Sequence, residues 1–105
     1  MRVETERMAL RQAELFRALS HPRRLVIVEC LLERERSVTE LEHCERLAPA
    51  SQPSLSQDLS ILRSQGLVRA RREGRRIVYS VRAPVLRRLL SLSKRLALDR
   101  VRSLL

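Results

Sequence analysis

A chain of 105 residues suffices for one domain with a modest core, and with Phe16 and Tyr79 as its only aromatics that core must come from Leu, Ile, Val and Ala. Two cysteines are too few for a secreted disulfide scaffold. The opening MRVETERMALRQ lacks the apolar stretch of a signal peptide, and no apolar run approaches the roughly 20 residues that cross a bilayer. These features predict a single cytoplasmic domain, 1–105, with no membrane partner. The net charge is +10, and its placement says more than its size. Ten basic residues lie between Arg69 and Arg95 against one acid, Glu73, whereas the rest of the chain is nearly balanced. Charge gathered in one segment calls for an anionic partner.

In chain order, the spacing predicts five helices and one hairpin. Residues 4–19 form an amphipathic helix with Met8, Leu15, Phe16 and Leu19 on one side. Ser20 is a candidate N-cap for a second helix, about 22–34, with Pro22 in its first turn. Leu25, Val26, Ile27, Val28, Leu31 and Leu32 make that helix apolar over most of its circumference, so it should be the central one. Ser37, three residues before Glu40, has capping-box spacing and opens a third helix to about Arg46, with Leu41, Cys44 and Leu47 inward. Pro49 then forces a turn.

The fourth helix, about 52–65, carries Leu55, Leu59 and Leu62 on its core face and ends at Gly66. Its other faces bear Ser54, Ser56, Gln57, Ser60 and Arg63, short groups able to donate to and accept from base edges and phosphates. Ser51, Gln52 and Ser54 bring a helix N-terminus, with backbone N–H groups suited to phosphate. A helix facing only solvent more often carries charged residues there, as the first helix does with Glu4, Glu6, Arg7, Arg11 and Glu14. Two strands follow, about 67–71 and 76–81, joined by a turn at Gly74. Arg71, Arg75 and Arg76 are placed to reach backbone phosphates, contacts that supply affinity and salt dependence rather than base identity. A last helix, about 83–104, has more leucine than one face of a small domain can bury, from Leu86 through Leu92 and Leu96 to Leu105.

The segments FRALSHPRRLVIVECLL, SVTELE and QPSLSQDLSILRSQGLVRARREGRRIVYSV, with the leucine-rich last helix, resemble the ArsR/SmtB family of bacterial winged helix-turn-helix regulators over about residues 10–100. The resemblance implies a mainly α fold: four helices, a small β-hairpin wing and a fifth helix. It implies a homodimer joined through the first and last helices, with 52–65 as recognition helix and 67–81 as wing. The implied function is a repressor on a pseudo-palindromic double-stranded DNA operator, released by an inducing signal, with no enzymatic activity and no cofactor. The family's Cys-Val-Cys metal motif is replaced by Ser37-Val38-Thr39, and no histidine follows His43, so no metal site is expected. The stretch 47–51 is longer than usual for the family.

His21, at the start of a helix, and His43 read as structural or surface histidines. Cys30 and Cys44 are then the candidate thiol sensor for redox or persulfide signals, able to bridge if their Cα atoms come within about 7 Å. Inert core cysteines are the alternative. The competing functional reading is a non-sequence-specific nucleic-acid-binding or protein-interaction module, which would tolerate polar changes in the fourth helix. No nucleophile–base pair, phosphate loop or carboxylate pair supports catalysis.

Overall fold

The computed structural model describes residues 2–104; Leu105, expected among the exposed leucines, lies outside them. The helices are α1 (Arg2–Leu19), α2 (Pro22–Glu33), α3 (Val38–Glu42), α4 (Gln52–Ser64) and α5 (Ala83–Leu104). The strands are β1 (Arg36–Ser37), β2 (Val68–Glu73) and β3 (Arg76–Val81), forming one antiparallel sheet in the order β1-β3-β2. This is the winged helix-turn-helix arrangement, with one strand more than the sequence suggested. β1 is two residues long and pairs Arg36 with Tyr79 and Ser37 with Val78.

The core is aliphatic. Ile27, Val28, Cys30 and Leu31 of α2 meet Leu41, Leu47, Leu55, Leu59, Leu62, Val68, Leu86 and Leu90. Each fully buried Leu or Ile contributes about 1.5–3 kcal/mol relative to exposure. Among the described residues α1 buries Ala18 and Leu19 at its end and packs Leu15 partly against the core, while Met8 and Phe16 stay exposed within one chain. α5 likewise buries only Leu86 and Leu90, leaving Leu92, Leu96, Leu98, Val101 and Leu104 exposed.

Local chemistry sets the element ends. His21, not Ser20, occupies the N-cap of α2, while the Ser20 hydroxyl donates back to the Arg17 carbonyl at 2.8 Å. Ser37 and Glu40 form a complete capping box on α3. That helix stops at Glu42 rather than near Arg46, because Cys44 and Leu47 turn inward through consecutive turns: Cys44 N donates to Leu41 O, and Leu47 N to Cys44 O, each at 3.0 Å. α4 ends in a Schellman pair: Leu67 N donates to Leu62 O at 3.0 Å and Gly66 N to Arg63 O at 2.9 Å. Gly66 holds φ +70°, a left-handed conformation that side chains disfavour. β2 begins at Val68 and runs on to Glu73, so the hairpin turns on two residues, with Gly74 at φ +64° in the first.

Candidate nucleic-acid interface

α4 is held from beneath by a charge. Asp58 lies on its inward face between Leu55 and Leu62 and is 3% exposed. Its carboxylate pairs with Arg23 at the start of α2 and with Arg24 at 3.5 Å. Arg24 also donates to the Ala18 carbonyl at 2.6 Å, so one cluster joins α1, α2 and α4. An acid at i+3 from Leu55 and i−4 from Leu62 breaks an otherwise apolar stripe; that was the available signal for a residue the sequence reading passed over.

The opposite side of α4 is polar and open. Gln52, Ser56, Gln57, Ser60 and Arg63 are exposed. Among the described residues, their side chains have no partner within the chain. Ser51 and Ser54 differ. The Ser51 Oγ accepts from Ser54 N at 3.2 Å and donates to Ser54 Oγ at 2.9 Å, so both hydroxyls are occupied in capping α4.

The wing arginines divide in two. Arg71 pairs with Glu35, in the loop before β1, and with Glu73 at 2.9 Å. Arg76 pairs with Glu40 at 3.0 Å. Arg69, Arg72 and Arg75 have no acidic partner among the described residues. The Glu40 carboxylate serves three groups: Oε1 accepts from Ser37 N and Arg76 at 3.0 Å each, and Oε2 from Arg34 at 3.0 Å. The Ser37 N–H first, then Arg34, hold its carboxyl down at about 2. The Arg71 hydrogen bond likewise holds the Glu35 carboxyl below its ordinary value, and Glu35, then Glu73, raise Arg71.

Cys30 and Cys44 are bonded to each other within the core, with Cα atoms 6.8 Å apart. The bond ties the middle of α2 to the turn after α3 and spans 14 residues of sequence. Constraining the unfolded chain over such a loop contributes about 3 kcal/mol. Arg36, only 7% exposed, donates its Nε–H to the Cys30 carbonyl at 3.0 Å and carries β1 against the wing. His43 places Nδ1 2.8 Å from the Thr39 carbonyl, to which it donates. His21 stands at the α2 N-cap with no side-chain cap bond. Among the described residues, no three His, Cys, Asp or Glu side chains converge as a metal site, and no helix is long and apolar enough to cross a membrane.

A buried α2, a capped polar helix and a basic hairpin on one small sheet define a winged helix-turn-helix regulator. Residues 21–70 match the bacterial regulatory protein, arsR family. The chain is 42% identical over 93 residues to the uncharacterized HTH-type transcriptional regulator Rv0081 of Mycobacterium tuberculosis, covering 89% of this chain and 80% of that protein. It is 44% identical over 78 residues to the biofilm growth-associated repressor of Xylella fastidiosa, covering 74% and 66%. The crystal structure of Rv0081 superposes with a TM-score of 0.75, covering 88% of this chain and 89% of that one. The homodimeric winged helix-turn-helix DNA-binding domain of a Mycobacterium bovis protein gives 0.77 at 30% identity, covering 92% and 87%. The chain belongs to the arsR family of bacterial regulatory proteins, a family of transcriptional regulators rather than enzymes.

Proposed function

We propose that the protein is a homodimeric repressor that reads a pseudo-palindromic DNA operator through α4 and the wing. The observation that carries this reading is the exposed, unpartnered polar face of α4, Gln52, Ser56, Gln57, Ser60 and Arg63, beside an arginine-rich hairpin. Short amides and hydroxyls on a helix suit base edges in a major groove. Ser51 and Ser54 contribute the capped N-terminus that faces phosphate, and Arg71, Arg75 and Arg76 the flanking backbone contacts. Exposed apolar residues on α1 (Met8, Leu10, Phe16) and α5 (Leu92, Leu96, Val101) support pairing of two copies, which would set two α4 helices about 34 Å apart. Named repressors among the relatives support the direction of control. The inducing signal acts through Cys30 and Cys44, whose bond joins α2 to the turn that leads into α4.

The test is selection of bound sequences from a random duplex pool, followed by titration of the selected and a scrambled duplex. Gln57→Ala should weaken the selected duplex and leave the scrambled one unchanged. Equal retention of all sequences would favour a non-specific nucleic-acid module. The disulfide and dithiol forms should differ in affinity for the selected duplex; identical affinities would remove the thiol signal while leaving DNA reading intact.

A further inference from the structure

The two bonded cysteines do not have the same surroundings. Cys30 is 0% exposed, enclosed by the core residues of α2, whereas Cys44 sits in the turn after α3 at 6%. A cavity of about 400 Å³ opens beside Cys44, lined by Glu33, Arg36, His43, Cys44, Glu45 and Arg46, and Cys30 takes no part in its wall. Its size falls within the range of small-molecule sites. Its wall carries two carboxylates and two guanidiniums, with Glu33 bridging Arg36 and Arg46 at 2.8 Å each. Such a mixed-sign wall matches a molecule that bears both an ammonium and a carboxylate, better than it matches a simple anion.

We infer that Cys44 is a modification site, the sulfur at which a small zwitterionic thiol of the cysteine or glutathione type opens the Cys30–Cys44 bond. Thiol–disulfide exchange proceeds by attack of a thiolate on one sulfur and departure of the other. The incoming thiolate forms a new S–S bond to Cys44 Sγ; the Cys30–Cys44 bond breaks, and its electron pair leaves on Cys30 Sγ. The proton lost by the incoming thiol, taken up by solvent, is matched by one returned to Cys30, whose apolar surroundings favour the neutral thiol. The adduct then occupies the cavity, and Cys30 is the resolving residue: it gives its proton to solvent, attacks Cys44 Sγ as the thiolate, re-forms the protein bond and expels the small thiolate, which takes a proton from solvent. No external oxidant or reductant beyond the named thiol is needed. The chemistry stands on burial and cavity geometry; only its consequence for DNA rests on the proposed repressor function.

The experiment treats the disulfide form of the full chain with excess glutathione under native conditions. Acid then stops the exchange, the free thiol is alkylated with excess iodoacetamide in denaturant because the native Cys30 is buried, and the adduct is located by peptide mass spectrometry. Glutathione is expected on Cys44 and the alkyl group on Cys30, with Cys44 adducts exceeding Cys30 adducts by about tenfold or more. Glutathione on Cys30, an even division, or opening only in denaturant would overturn the assignment. As a second measurement, Cys30→Ser should leave a Cys44 that glutathione disulfide modifies, while Cys44→Ser should leave a Cys30 that resists it. Operator affinity is read on the same samples. An adduct on Cys44 with unchanged affinity upholds the site and removes the thiol signal from the repressor function. Changed affinity with the adduct on Cys30 does the reverse.

Discussion

α4 and the wing, the two elements proposed to meet DNA, are held in opposite ways. The exposed side chains of α4 are uncommitted, and what fixes the helix lies beneath it, in the buried Asp58 cluster. Two wing arginines are instead committed on the surface, Arg71 to Glu35 and Glu73, Arg76 to Glu40. A helix that must present hydrogen-bonding groups at fixed positions is anchored by a group water cannot reach. A hairpin that supplies charge is held by exposed ion pairs, which water and salt screen and which a phosphate can displace. In the proposed repressor, base reading would therefore depend on placement, and backbone affinity on which cations are free.

The largest expected effect tests the anchor. Asp58→Ala leaves Arg24 partly buried without its carboxylate, so stability should fall by about 3 kcal/mol, read from the urea midpoint at constant m. A loss below about 1 kcal/mol would show that α4 is placed by its leucines alone. Next comes Gln57→Ala, which should cost about 1–3 kcal/mol on a selected duplex and nothing on a scrambled one. A uniform loss on both would move Gln57 from base reading to backbone contact.

A smaller effect separates the wing's cations. Arg72→Ala and Arg75→Ala should each lower the slope of log K against log salt by about 1, because each free guanidinium can replace a condensed counterion. Arg71→Ala and Arg76→Ala should lower it less, since each must first release an acid. Four equal slopes would mean that Glu35, Glu40 and Glu73 let go without cost.

Much of this arrangement is written in short-range spacing. Pro22, the Ser37–Glu40 box, the Leu55-Leu59-Leu62 stripe and Gly66 each act within one or two helical turns, so periodicity and capping rules place them. Spacing alone carries α3 past its true end, because Leu41, Cys44 and Leu47 are spaced by three and mimic a helical face while burying themselves through turns. β1 has two residues and so no period to detect. The pairing of Arg71 with Glu35 and of Arg76 with Glu40 joins residues 36 apart, which only the folded sheet brings together. The Cys30–Cys44 distance depended in the same way on how α2 meets the turn after α3.

The finest distinction lies at Glu40, where the α3 cap and the wing share one carboxylate. Its folded value of about 2 lies below the ordinary 4.5. A depressed carboxyl binds its proton more readily in the unfolded chain, so its stabilising contribution is complete above pH 4.5 and is lost as pH falls from 4.5 towards 2. Glu35 is shifted in the same direction, so acid sensitivity alone does not isolate Glu40. Glu40→Gln does, because a Gln at that position can still accept from the Ser37 N–H and complete the capping box, while the charge facing Arg34 and Arg76 is gone. The variant should lose less stability than the parent between pH 6 and pH 3 in urea titrations. It should also bind scrambled duplex slightly more tightly at low salt, since Arg76 is released. Parallel acid profiles would reassign the pH response to Glu35, and unchanged duplex affinity would show that the Glu40 contact never withheld Arg76 from phosphate.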